Sequence, residues 1–110
     1  MCEFKVSVYD GKKSSVVATD VVYAEQIGEK IILRDILGSS STVESAMISY
    51  VNVNSQQMKL LSLPILASFS KFIEMYIKYA AEGKYVSEID NIWNKIKNEG
   101  ERLIEELKGK

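Results

Sequence analysis

Pro64 is the only proline in a chain of 110 residues, and the apolar residues recur with different periods on its two sides. Before it the period is close to two, which puts alternate residues on opposite faces of a strand. After it the period is near three and a half, which gathers apolar residues along one side of a helix. The chain therefore divides into a strand-rich stretch, residues 1–63, and a helical stretch, residues 64–110, and its expected class is α+β.

Residues 3–9 set the pattern of the first stretch. Phe4, Val6 and Val8 fall on one face, Glu3, Lys5, Ser7 and Tyr9 on the other, and Cys2 has the parity of the apolar face. Asp10-Gly11 follows as a hairpin-type turn. Further strands are expected over 15–24, 30–37, 42–53 and 57–63, punctuated by Gly28-Glu29, by Gly38 to Ser41 and by Asn54-Ser55. Asp20 breaks the second run and marks a bend or bulge, and the fourth run is open to interruption. Val16, Val17, Val21 and Val22, like Ile31, Ile32 and Leu33, point to both faces, so these strands need cover on both sides. Five short strands joined by tight turns indicate a small closed or nearly closed antiparallel β-barrel.

Pro64 suits the first turn of a helix, where its missing N–H has no partner to lose, with Ser62 as a candidate cap. Ile65, Leu66, Phe69, Phe72, Ile73, Tyr76, Ile77 and Ala80 mark one face of that helix, which Gly83 stops. A second helix begins at Ser87, whose spacing to Asp90 resembles a capping box, and Ile89, Ile92, Trp93, Ile96, Leu103, Ile104 and Leu107 form its stripe. Gly100 lies inside that stripe and marks a kink or a close helix crossing. The two helices form an antiparallel hairpin. A barrel of about sixty residues is marginal alone; the hairpin or a second subunit must cover it. At about 1.5 Å per residue the second helix is about 30 Å long, longer than such a barrel. A homodimer in which part of that stripe lies between subunits is therefore expected.

The chain has no histidine and one cysteine, Cys2. Catalytic triads that use histidine are excluded, as are most three-ligand catalytic zinc sites, and no signature of an enzyme is present. Beside the Cys2 thiol stand its own backbone nitrogen and the terminal amine of Met1, donors suited to a soft or borderline divalent metal. The alternative is a small apolar residue at the end of a strand. The halves are balanced in charge, six basic and seven acidic residues through Leu63, then eight and eight, so no basic footprint for nucleic acid is present. Lys12 and Lys13 read as a solvated turn, and Asp20, Glu25, Asp35 and Glu44 as scattered surface carboxylates. The Gly38 to Ser41 loop is a weak anion site without phosphate-loop spacing. Tyr9, Tyr23 and Tyr50 read as packing residues before stacking platforms, since basic neighbours are few. No run reaches the about 20 apolar residues of a membrane span, and no signal peptide is evident. A cytoplasmic protein is expected.

Met1-Cys2-Glu3-Phe4-Lys5-Val6, the Asp20-Val21 pair, Asp35-Ile36-Leu37-Gly38 at the end of a strand, Ala46 to Val53 and Met58 to Leu60 together resemble the CooT family. These are small nickel-binding proteins, also labelled predicted RNA-binding proteins, and the likeness covers about the first 63 residues. The resemblance implies an SH3-like barrel that dimerises, binds Ni(II) through Cys2 and supplies nickel to carbon monoxide dehydrogenase. It assigns a metal-ligand role to Cys2, with Met1 beside it. This chain departs from the family in carrying Gln56-Gln57 where a histidine is common, and in its helices after Pro64. The alternative function is an RNA-binding or protein-binding module in which Cys2 is only structural.

Overall fold

The structure is a computed structural model that describes residues 3–110. Six strands, β1 (Phe4–Tyr9), β2 (Ser14–Ile27), β3 (Lys30–Asp35), β4 (Ser40–Val43), β5 (Ala46–Asn52) and β6 (Gln57–Ser62), precede two helices, α1 (Pro64–Glu82) and α2 (Glu88–Lys108). The strands form one sheet in the order β4-β3-β2-β1-β6-β5. Every neighbouring pair is antiparallel except β1 and β6, which run parallel. The α+β class holds, with six strands rather than five and a mixed sheet rather than a wholly antiparallel one.

The extra strand comes from the expected fourth run, which breaks at Glu44-Ser45, where Ser45 takes φ 51. This break also explains the curl of the sheet. β4 and β5 are its opposite edges, yet Val43 and Ala46 are three residues apart and their Cα atoms lie within about 11 Å along an extended chain. The sheet must roll into a half-barrel to bring its edges so close. The Ala46 N–H donates to the Glu29 carbonyl at 3.1 Å, tying β5 to the β2–β3 turn. Asp20 supplies the bend. Its φ is 56, the β1–β2 register shifts beside it, and its carbonyl accepts the Ile36 N–H at 3.0 Å. A bulge of this kind lets the 14-residue β2 serve both halves of the curled sheet.

The barrel core is Val6, Val21, Ile31, Leu33, Ala46, Met58 and Leu60, with Phe4 and Val8 packed against it. The inward parity read for β1 is therefore observed, and full burial of each large aliphatic side chain is worth about 1.5–3 kcal/mol.

Pro64 opens α1 as expected, but Ser62 does not cap it. Leu63 holds the cap position without a side-chain bond, and the Ser62 hydroxyl donates instead to the Glu44 carbonyl at 3.0 Å. Gly83 ends the helix at φ 65; its N–H and that of Lys84 reach the Ala80 and Tyr79 carbonyls, a closure that a left-handed residue permits. The capping box at Ser87 does not form either. Ser87 makes no side-chain bond, and the Asp90 carboxylate accepts the Tyr85 hydroxyl instead, which raises the tyrosine's pKa.

The helices form the expected antiparallel hairpin. Its seam contains the Phe72–Trp93 ring pair at 5.4 Å and a Ser68 hydroxyl donating to Glu99 Oε1 at 2.8 Å. Helix α2 runs unbroken through Gly100, where a Cβ would stand 3.9 Å from Ile65 Cδ1. Gly100 thus marks the helix crossing. Helix α1 meets the barrel at the β2–β3 turn. Gly28 has φ 60, a conformation that favours glycine, and Glu74 Oε1 lies 2.7 Å from where a Cβ would stand, close enough that the Glu74 side chain would have to move aside.

Candidate functional site

The candidate site lies at the end of the barrel where the chain begins. Phe4 pairs with Val21, Val21 pairs with Asp35, and the Lys5 N–H donates to the Gln56 carbonyl at 2.9 Å. The first residues of β1 are thus held between the Asp20 bulge and the turn before β6, where Gln56 takes φ 54. Met1 and Cys2 lie outside the described residues. Covalent geometry alone keeps the Cys2 Cα within about 7 Å of that of Phe4.

The donor set expected from the sequence, the Cys2 thiol with amine and amide nitrogens beside it, suits soft and borderline metals. Gln56 and Gln57, the residues at the family's histidine position, are neighbours of this end and carry neutral amides. Among the described residues no group of three or more Cys, His, Asp or Glu is placed to hold a metal. Around the same end the surface is apolar: Ile36 is 48 %, Val53 58 % and Leu37 86 % exposed. Ile36 is joined to Asp20, and Val53 to Gln56, by backbone hydrogen bonds, which places these two residues near the start of β1.

The other residues singled out in the sequence do not converge. Asp35 Oδ1 accepts the N–H groups of Leu37 and Ser39, each at 2.9 Å. Its carboxylate thus takes the place an external anion would need in the Gly38 to Ser41 loop. Ser40 and Ser41 belong to β4, so that turn is shorter than expected. Glu25 accepts the Tyr23 hydroxyl at 2.8 Å and raises that tyrosine's pKa. Glu44 stands 3.8 Å from Lys30 as an exposed ion pair. Lys12 and Lys13 give their backbone N–H groups to Asp10 Oδ1 at 2.9 and 3.0 Å, in a turn whose side chains are solvated.

Strand pairing places basic groups beside the tyrosines, which the sequence alone did not reveal. Lys59 Nζ lies 5.1 Å from the Tyr9 ring centroid, and Lys59 is the cross-strand partner of Tyr50. The Arg34 guanidinium lies 4.9 Å from the Tyr23 ring centroid. The Tyr23–Arg34 pair follows from the two-residue turn at Gly28-Glu29, whereas the Lys59–Tyr9 contact depends on the parallel β1–β6 pairing, for which local spacing carries no signal.

The family model for the CO dehydrogenase accessory protein CooT matches residues 1–61. No curated protein matches the chain. Among solved structures, the crystal structure of a protein assigned as CooT from Carboxydothermus hydrogenoformans is similar in fold. It superposes with a TM-score of 0.51 at 20% identity, over 56% of this chain and 97% of that chain. The matched residues run from the chain start nearly to the end of β6 and leave out both helices. The chain belongs to the CooT family, with a helical hairpin added after the barrel.

Proposed function

We propose that this protein is a non-enzymatic accessory protein that carries or senses Ni(II), binding it through Cys2 and nitrogen donors of the chain start, across a homodimer. The observation that carries this reading is that the family match begins at residue 1 and so includes Met1-Cys2. The family's description supports carbon monoxide dehydrogenase as the client enzyme. One thiolate per chain holds a metal weakly, whereas two chains about a two-fold axis bring two thiolates and their neighbouring nitrogens to one ion. The exposed Ile36, Leu37 and Val53 at the same end of the barrel give such a dimer an apolar contact. Residues 1–63 act as the metal-handling unit and 64–110 as a second unit. A lone cysteine suits a reducing cytoplasm; among the described residues no helix is long and apolar enough to cross a membrane.

Because thiol and amide nitrogens must lose protons to bind, affinity rises with pH. Titration of Ni(II) into the reduced protein tests the reading. The expected result is a thiolate-to-metal charge-transfer band that saturates at one ion per two chains and disappears in Cys2→Ser. A titration without a band, or a band retained in that variant, rejects it.

A second reading rests on the outward face of β1, β5 and β6, where Lys59 stands beside Tyr9 and Tyr50. Aromatic and basic groups of this kind suit single-stranded nucleic acid. A salt-dependent complex with single-stranded RNA that Lys59→Glu abolishes would support this reading; no binding at low salt would remove it.

A further inference from the structure

We infer that the hairpin pairs with the hairpin of a second copy to form a four-helix bundle, at the opposite end of the barrel from the start of β1. This deepens the homodimer reading above and rests on it only for the expectation that copies associate.

Helix α1 carries two apolar stripes where a simple hairpin needs one. Ser68, Phe72, Met75 and Tyr79 are sheltered from solvent, and the first two touch α2. Phe69, Ile73, Tyr76 and Ala80 repeat that spacing one residue later, rotated by about 100°, and all four are exposed. A helix with two stripes at that offset is built for two helical neighbours, as in a four-helix bundle; this chain supplies one.

Helix α2 extends the uncovered face. The Trp93 ring packs against Phe72 at a tilt of 45°, which sets it at the edge of the covered stripe, beside Phe69 and Tyr76 one turn either side on α1. Gly100 and Ile104 follow Trp93 at seven and eleven residues, on the same side of α2. Phe69, Ile73, Tyr76, Ile77, Trp93 and Ile104 are each 42–61 % exposed. With large side chains carrying about 150–250 Å² each, they leave about 600 Å² of apolar surface uncovered. That is the upper limit for the largest patch on a typical monomer and approaches the about 800 Å² per partner of a standard interface.

An apolar groove of about 430 Å³ between β5 and α1, lined by Met47, Leu66, Phe69 and Ile73 among others, continues the face toward the barrel. The rim fits a second copy as well. Lys97 and Glu101 are exposed, one turn apart beside the α2 stripe, so an antiparallel copy sets Lys97 opposite the other chain's Glu101, twice over about the two-fold axis.

β1 and β6 run parallel, with Phe4 and Gln57 at one end and Tyr9 and Ser62 at the other. Cys2 precedes the first end and α1 leaves from the second, about 17 Å away at the usual rise per residue. Hairpin pairing therefore needs neither metal nor Cys2, and a metal-linked contact between chain starts would be a second interface.

Light scattering on the full chain, metal-free and as Cys2→Ser, tests this. At about 50 µM each is expected to be a dimer or larger, and Tyr76→Glu and Ile104→Glu, on different helices at exposed positions, are each expected to halve the particle mass while circular dichroism is unchanged. Trp93 emission should shift to the red in both. A monomeric Cys2→Ser protein, or masses unchanged in both glutamate variants, overturns the inference. Failure of the nickel reading is seen separately, as absence of the charge-transfer band, and leaves these masses where they are.

Discussion

Barrel and hairpin differ in how much of their apolar surface each hides unaided. In the barrel seven apolar residues are buried in one cluster, whereas among the described residues of the hairpin only Ile96 and Ser68 are buried. The cause is architectural. A curled sheet surrounds a core with its own strands, while two helices have a single seam, and every other stripe waits for another layer. The barrel, which carries the family likeness, encloses a core of its own and the added hairpin does not, although both leave large apolar side chains exposed.

The strongest test of that contrast is Leu60→Ala. Leu60 is fully buried in the barrel core, and its truncation is expected to cost about 2–5 kcal/mol. Amide hydrogen exchange in β1 reads the barrel, and fluorescence of Trp93 reads the hairpin. If the two stretches are separate units, exchange protection falls while the urea midpoint seen by Trp93 stays in place. Equal movement of both would make them one cooperative unit and break the contrast.

A second test lies in the hairpin's seam. Ser68 is the hydrogen-bond partner of Glu99 Oε1, and Glu99 Oε2 is buried without one. Ser68→Ala leaves both oxygens unpartnered and is expected to cost about 1–3 kcal/mol, read as a lower urea midpoint on the Trp93 curve. Glu99→Gln in the Ser68→Ala background removes the charge and should recover part of the loss. No effect of Ser68→Ala would show that water already reaches this seam.

What the sequence reveals follows the same division. Period and punctuation identified the strands, the bend at Asp20, the helix start at Pro64 and its end at Gly83, because each depends on residues close in the chain. The parallel β1–β6 pair, the curl and the Lys59–Tyr9 contact depend on which distant strands meet, which local pattern does not encode. The expected caps failed because other partners took their groups: Ser62 bonds to the distant Glu44 carbonyl, and Asp90 to the neighbouring Tyr85 hydroxyl. The split of the α1 stripe in two became visible only once α2 was seen to cover one half. For the candidate site, Cys2 stood out by being the only cysteine, yet the apolar rim of Ile36, Leu37 and Val53 is assembled by two turns far apart in the chain.

Gly100→Ala sharpens the account of the hairpin. Its added Cβ would meet Ile65 Cδ1 at 3.9 Å, an ordinary contact, and alanine is favoured over glycine inside a helix by about 1 kcal/mol. The urea midpoint read by Trp93 is therefore expected to rise. A fall would mean that α1 and α2 approach more closely at the crossing than this contact allows.

The smallest effect belongs to the barrel's first turn, where the contrast predicts local rather than global consequences. The backbone N–H of Lys13, then that of Lys12, hold the Asp10 carboxyl below its ordinary pKa of 3.8; desolvation opposes them more weakly, and the Lys13 charge adds a still smaller pull downward. The depressed value means that the folded turn favours the ionised carboxylate. Its contribution is fully present above the unfolded pKa and is lost as pH falls through the lower folded value. The difference in urea midpoint between the wild type and Asp10→Ala should accordingly be constant from neutral pH down to about 5, then shrink in more acidic solution. The side chain is exposed, so the difference is small throughout, and β1 should keep its exchange protection. A difference that is the same in acid as at neutral pH would show that the turn is held by its backbone geometry, with no contribution from the charge on Asp10.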